Sequence, residues 1–117
     1  MELTIDQFKE LLEAGQKTFS GIEVEEGSLQ NYNLSGCTFV ECSFALDFSK
    51  ADLKNSKFIN SNLKTCNFTE ADLTESEWTG NMLCSAVFYK AKRDSIQFVG
   101  NYYHSVILEI KDLEKMI

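Results

Sequence analysis

The chain has 117 residues, room for one domain. It is 44% apolar, 25% charged and 12% aromatic, so it can bury a core and is not disordered. Eighteen acidic residues against eleven basic ones leave a net charge of −7, which argues against nucleic acid and anionic membrane surfaces as partners, since both demand Lys and Arg. The opening residues MELTIDQF lack a basic start, an apolar core and a small-residue cleavage site. No run approaches the roughly 18 apolar residues of a membrane span. A soluble, cytoplasmic, bacterial protein is the expectation. Six Gly and no Pro are few for a chain that must turn often.

The first predicted element is an amphipathic helix over about residues 5 to 14. Thr4 and Gln7 form a capping box, Ile5, Phe8, Leu11 and Leu12 share one face, and Gly15 supplies the stop. Residues 1–21 are read as an N-terminal cap.

From residue 22 a period of five takes over. Phe, Leu or Trp occupies Leu53, Phe58, Leu63, Phe68, Leu73, Trp78, Leu83 and Phe88 without a miss, and Val24, Leu29, Leu34, Phe39 and Phe44 keep the same spacing one residue out of register. Phe48 joins the two series because one pentad, 42 to 45, has lost a residue. Two positions before these central residues lie small ones, among them Cys37, Cys42, Ala51, Ser56, Ser61, Cys66, Ala71, Ser76, Ala86 and Ala91. Five fits neither the 3.6 of a helix nor the 2.0 of a strand, so the chain must turn once per pentad.

The text ADLKNSKFINSNLKTCNFTEADL (51 to 73), continued by TESEWTGNMLCSAVF, resembles the pentapeptide-repeat family with its A(D/N)LXX consensus. The resemblance implies an all-β solenoid over 22–110, a right-handed quadrilateral β-helix of four to five coils. Residues twenty apart should then stack, and they sort into four columns: Val24, Phe44, Leu63, Leu83, Tyr103; Leu29, Phe48, Phe68, Phe88, Leu108; Leu34, Leu53, Leu73, Arg93; and Phe39, Phe58, Trp78, Phe98. Aromatics thus fill two opposite walls and Leu the other two. Coils about 4.8 Å apart make a rod about 20 Å tall. A solenoid end needs a cap, and the amphipathic spacing of Ile110, Leu113, Met116 and Ile117 makes 111–117 a C-terminal cap, such as a short helix, or an interface segment.

Arg93 stands where the column wants Leu, within KAKRDS (90 to 95). A buried unpaired guanidinium is costly, so a bulge lifting Arg93 out, with Ile96 and Phe98 restoring the register, is expected; a functional basic loop is the alternative. Stacked charges such as Lys50, Glu70 and Lys90, or Lys57 and Glu77, read as a solvated surface avoiding like-charge contacts.

Chemistry-bearing residues are sparse. Cys37, Cys42 and Cys66 occupy small corner positions as compact apolar residues, without the tight spacing of a zinc site. Cys84 is expected to point outward in a column with Lys64 and His104, without a third group to make it a nucleophile. His104 is the only histidine, Glu70, Asp72, Glu75 and Glu77 spread over two walls, and no Gly-rich phosphate loop exists. No catalytic residue, metal ligand or cofactor is assigned, and no enzyme activity is expected.

Met82, Val87, Tyr89, Tyr102 and Ile107 form an outward apolar patch on two adjacent faces of the last coils, where earlier coils carry polar residues. It is the candidate interaction surface, to be covered by the C-terminal segment, by a second copy as a homodimer, or by a protein partner. The leading functional expectation is a non-catalytic protein-interaction or scaffold module. Longer family members that mimic duplex DNA imply an alternative, a modulator of a topoisomerase such as gyrase. A 20 Å rod would have to match about twelve phosphates, whereas Leu34 to Tyr89 carries seven acids against four lysines. A secreted effector is a third class, without a mark of its own in the sequence.

Overall fold

Each pentad combines a short extended segment with a turn. In the computed structural model, which describes residues 1–115, the Ser56 N–H donates to Leu53 O at 3.2 Å and Asn55 between them has φ 59°, the pattern of a type II β-turn. The turn recurs with bonds from Tyr32 to Leu29, Ala51 to Phe48, Cys66 to Leu63, Ala71 to Phe68 and Ala91 to Phe88, all at 3.0–3.2 Å. Its left-handed residue is Lys50, Thr65, Glu70 or Lys90 as readily as Asn, with φ between 55° and 63°. The sequence therefore turns often with only six glycines, the stack holding non-glycine residues in a conformation they normally avoid.

The Asp or Asn before each central residue helps to hold the turn. Asp47 Oδ1 accepts from the Ser49 N–H at 2.8 Å, Asp52 from Lys54 at 3.1 Å, Asn67 from Thr69 at 3.0 Å and Asp72 from Thr74 at 3.1 Å. These side chains mimic a backbone turn, which is the physical role of the second consensus position.

After helix α1 (Ile5–Glu13) come strands β1 (Thr18–Ser20), β2 (Glu23–Val24), β3 (Thr38–Val40), β4 (Ser43–Phe44), β5 (Lys57–Ile59), β6 (Glu77–Thr79), β7 (Gln97–Val99), β8 (Asn101–Tyr103) and β9 (Val106–Leu108), then helix α2 (Ile110–Lys115). One wall is a five-stranded parallel sheet in the order β1-β3-β5-β6-β7. The other three are ladders of bridges: Ser43, Asn62, Met82 and Tyr102; Ser28, Asp47, Asn67 and Val87; and Asn33, Asp52, Asp72 and Lys92. These reproduce the four expected columns in a β-solenoid of about four turns. The lost residue is visible in the register: Thr18 pairs with Thr38 and Lys57 with Glu77, but Thr38 pairs with Lys57.

Every central residue from Val24 to Phe88 is buried. Phe39, Phe58 and Trp78 stack up one wall, with centroids 4.9 and 4.4 Å apart. Phe48, Phe68 and Phe88 stack up the opposite wall at 5.0 and 5.1 Å. The two stacks meet edge to face, as in Phe68 against Trp78 at 5.1 Å. Each such pair adds about 0.5–1.5 kcal/mol to the area it buries. Phe19, outside the predicted repeat, extends the first stack down to β1, 5.7 Å from Phe39.

Where the strand wall meets the next, the turns lack the bond that closes a type II turn, and side chains from the coil above satisfy the backbone instead. The Cys42 N–H donates to Ser61 Oγ at 3.1 Å, the Ser61 N–H to Asn81 Oδ1 at 2.9 Å and the Asn81 N–H to Asn101 Oδ1 at 3.0 Å. In return Asn81 Nδ2 donates to Phe58 O and Asn101 Nδ2 to Trp78 O, at 2.7 and 2.8 Å. Both asparagines are fully buried, so a polar ladder runs up this corner beside the aromatic stack.

The ends are closed differently. The capping box at Thr4 and Gln7 is formed, and α1 ends as the Gln16 N–H donates to Leu11 O and the Gly15 N–H to Leu12 O, at 3.1 and 3.0 Å, with Gly15 at φ 93°, a Schellman motif. Phe8 plugs the core, 5.1 Å from Phe19 and 5.4 Å from Phe44. At Gly27 a Cβ would lie 2.5 Å from Ile5, so the first coil admits only glycine there. At the other end Leu113 of α2 is fully buried, acting as a C-terminal plug; Met116 and Ile117 lie outside the described residues.

Two expectations fail here. Leu108 does not continue the Phe88 column: after Tyr103 the chain reverses through His104, φ 56°, and β9 pairs antiparallel with β8, Tyr102 opposite Ile107. Five-residue spacing alone does not distinguish a hairpin's return strand from another coil. Nor does Arg93 sit in a bulge. The Lys92 N–H donates to Ala71 O, the Glu75 N–H to Asp94 O and the Gln97 N–H to Ser76 O, all at 2.9 Å, so the coil is unbroken. Arg93 occupies its column above Leu73, half-buried. It is tolerated because this is the last rung of its column, where water still reaches the side chain.

Candidate functional site

The apolar residues singled out in the sequence lie on the last coils. Met82 and Tyr102 occupy consecutive rungs of one wall, both half-buried, and β9 adds Ile107 beside Tyr102. Val87 and Tyr89 flank Phe88 on the adjacent wall. Val87, Tyr89 and Ile107 are 44%, 53% and 63% exposed, so the fold-back of β9 does not cover them. Val99, Val106 and Ile110 extend the exposed apolar surface around the same end. The Lys90 ammonium lies 5.2 Å from the centroid of the Tyr89 ring.

The hairpin also leaves an open edge. Tyr102 directs its N–H to Asn81 O and its carbonyl to the Leu83 N–H, both at 2.9 Å, so β8 faces β9 with the backbone groups of Asn101 and Tyr103. By the alternation of an antiparallel pair, the N–H and C=O of Ile107 then point away from β8. Among the described residues these two groups have no partner, and they lie with the exposed side chain at the rim.

Charge is distributed differently. Lys54 Nζ lies 3.0 Å from Asp52 and 3.8 Å from Asp72, and Lys57 lies 4.0 Å from Glu77. The hydrogen bond and charge of Asp52 hold the Lys54 ammonium above its ordinary range. Burial pushes the Asp72 carboxyl up, but bonds from the Thr74 hydroxyl and amide, with Lys54 and Lys92 nearby, outweigh it and leave it lowered. Acids of this middle region are thus partly matched by lysines. At the N-terminal end Glu2, Glu23 and Glu25 bring carboxylates within 4.8 Å of one another, all three exposed.

The four cysteines are free and buried. Burial pushes the Cys66 thiol up to about 12 and raises Cys37 and Cys42 as well, which suits packing rather than nucleophilic chemistry. Cys84 lies outward as expected, yet it is only 6% exposed, because the next coil covers it and the His104 N–H donates to its sulfur at 2.9 Å. Lys64 and His104 do line the same recess as Cys84, as their shared column requires. Among the described residues no helix is long and apolar enough to cross a membrane.

Parallel rungs, a left-handed residue at most corners and a core filled from four sides define a pentad-built β-solenoid. The family model described as pentapeptide repeats (8 copies) matches residues 47–77 and 61–92, so this stretch of the chain is built of pentapeptide repeats. Among solved structures, a trypsin-treated variant of QnrB1, a plasmid-mediated fluoroquinolone resistance protein, superposes with a TM-score of 0.70 at 22% identity, covering 72% of this chain and 44% of that one. Full-length QnrB1 gives 0.55 at 20% identity, covering 72% and 47%. The pentapeptide repeat protein alr5209 from Nostoc Pcc 7120 gives 0.49 at 23% identity, covering 85% and 78%. At these identities the likeness to QnrB1 shows the fold, and the chain spans less than half the length of either QnrB1 chain. Comparison with curated proteins finds no match.

Proposed function

We propose that this protein is a non-catalytic interaction module that docks another protein, or a second copy of itself, on the apolar walls and open edge of its last coils. The observation that carries the reading is the exposure of Val87, Tyr89 and Ile107 beside the outward backbone of Ile107. A strand edge of this kind pairs readily with another chain unless something covers it. The solid aromatic core supports a binding rather than a catalytic role, because the fold offers rigid walls instead of a deep cavity. Neither nucleic acid nor membrane is proposed as a partner, given the acidic balance. The DNA-mimic alternative finds little support in the middle coils, where lysines sit between the acids.

The test is affinity purification from the native cell with the wild type and with charge introduced at Tyr89 and Tyr102, alongside light scattering of the purified chain over a range of concentrations. Loss of one specific protein, or of self-association, in the charged variants supports the proposal. A wild type that stays monomeric and captures the same proteins as its charged variants contradicts it.

A further inference from the structure

The recess on the wall of Met82 and Tyr102 differs from the coil beneath it in its backbone. One rung down, Asn62 Oδ1 accepts from the Lys64 N–H at 3.2 Å, as the Asp or Asn of other pentads does for the residue two positions on. Met82 stands above Asn62 in the same ladder and offers no oxygen. The Cys84 N–H, directed where that oxygen would lie, has no hydrogen-bond partner among the described residues, although Cys84 is only 6% exposed. The next amide shares this situation. Thr65 donates its N–H to Cys84 O of the coil above at 3.0 Å, but above Ser85 the chain turns away through His104 into β9. The Ser85 N–H is therefore also without a partner among the described residues. Amides in folded proteins are normally paired, so two adjacent donors opening on one recess mark a place for an acceptor from outside the chain.

The surrounding side chains suit an anion. The recess, about 390 Å³, is lined by Lys64 and by no acid, in a chain that carries eighteen. Among the described residues Lys64 has no ion pair. Met82 and Tyr102, both half-buried, form apolar flanks. The His104 ring packs edge-on against Tyr103, centroids 4.8 Å apart, and is not called on. We propose that this recess receives the carboxylate of an Asp or Glu side chain of the docking protein, with an apolar neighbour of that residue lying on Met82 and Tyr102. The carboxylate accepts from the Cys84 and Ser85 N–H groups and pairs with the Lys64 ammonium. Hydrogen bonds to an ionised acceptor are about twice as strong as those between neutral groups. The partner's oxygen thereby takes the place that an Asp or Asn side chain fills in other pentads. This rests on the docking reading above and names the chemistry of the partner.

The experiment follows the amide resonances of the isotope-labelled full chain by NMR as the peptide acetyl-Leu-Asp-Leu-amide is added. A saturable downfield shift of the Cys84 and Ser85 amides is expected, and the peptide with Asn in place of Asp should bind about tenfold more weakly. Lys64→Met should weaken binding severalfold. Met82→Asn supplies the internal acceptor and should weaken binding about tenfold, whereas Met82→Leu, which keeps the apolar flank and adds no oxygen, should bind as the wild type does. Circular dichroism confirms that every variant is folded. Amides that stay unmoved in the folded wild type overturn the proposal, as does equal binding by Met82→Asn and Met82→Leu. If capture of a partner is nonetheless lost on placing a charge at Tyr89, this site alone fails and the docking reading stands. Acetate moving the two amides as far as the peptide does would assign the recess to free carboxylates, and their movement on raising the protein concentration alone would assign it to a second copy; either result overturns the partner named here.

Discussion

Asn81→Ala tests the argument that one corner of the solenoid is held by side chains instead of turn hydrogen bonds. Asn81 accepts from the Ser61 N–H at 2.9 Å and donates to Phe58 O at 2.7 Å and to Asn101 Oδ1 at 2.9 Å, all within the buried interior. Truncation leaves the Ser61 N–H without an acceptor, removes one donor from Phe58 O and opens a small void. An orphaned buried donor costs about 1–3 kcal/mol and a lost hydrogen bond about 1 more, so the variant should lose about 2–4 kcal/mol. For a domain of this size that is a fall in Tm of roughly 8–16 °C. Urea unfolding followed by Trp78 fluorescence measures it directly, since Trp78 packs beside this ladder and its carbonyl accepts from Asn101 Nδ2. The double variant with Asn101→Ala should cost less than the sum of the two single changes, because each single change already breaks the bond between the two amides. A loss below about 0.5 kcal/mol, within the range of ordinary surface changes, would refute the claim that this ladder replaces the missing turn bonds.

Two serines of one column should respond in opposite senses. Ser56 Oγ is buried without a hydrogen-bond partner, so Ser56→Ala should raise stability by about 1 kcal/mol in urea unfolding. Ser76 Oγ accepts from Trp78 Nε1 at 2.8 Å and donates to Leu73 O at 2.6 Å, so Ser76→Ala should cost about 1–3 kcal/mol. Alkaline pH should weaken the fold through Cys66. Its thiol is pushed up to about 12 by burial, against about 8.5 in an unfolded chain. Between those values the unfolded chain has lost a proton that the folded one keeps, so stability falls as pH rises, with a slope approaching about 1.4 kcal/mol per unit from this group. Chemical unfolding between pH 8 and 11 should show a shallower decline in Cys66→Ala, to which Cys37 and Cys42 still contribute.

The repeat was legible because a square coil buries one large residue per pentad and a small one two positions before it, so burial imprints a period on the text that no helix or sheet produces. The four columns, the small corners and the lost residue in pentad 42 to 45 all follow from that geometry, and the structure keeps each of them. Phe19 lay in the same rhythm, five residues before Val24, and extending the count back one step would have found it. Asn81 and Asn101 were harder to see, since a buried amide in a small-residue position is predicted by the backbone bond it supplies, and that bond exists only once the coils are stacked. Arg93 and Leu108 mark a different limit. Both lie where the solenoid stops, and there the pattern loses the neighbour above that gives it meaning. Arg93 keeps its column because the last rung is open to water, whereas Leu108 leaves its column because the chain reverses. Cys84 does lie outward in a column with Lys64 and His104, but its burial was not readable, because the cover comes from His104 of the next coil. Of the candidate surface, the polarity change between early and late coils was readable. The outward backbone of Ile107 was not, because it depends on the hairpin.

Photo-crosslinking tests the interaction reading most directly. A photoreactive amino acid in place of Tyr89, on the exposed apolar wall, is compared in the native cell with the same group in place of Lys54, which sits on another wall between Asp52 and Asp72. The account predicts a discrete crosslinked protein, either a partner or a second copy, from position 89 and none from position 54. The same products from both positions, or a product from position 54 alone, would contradict it.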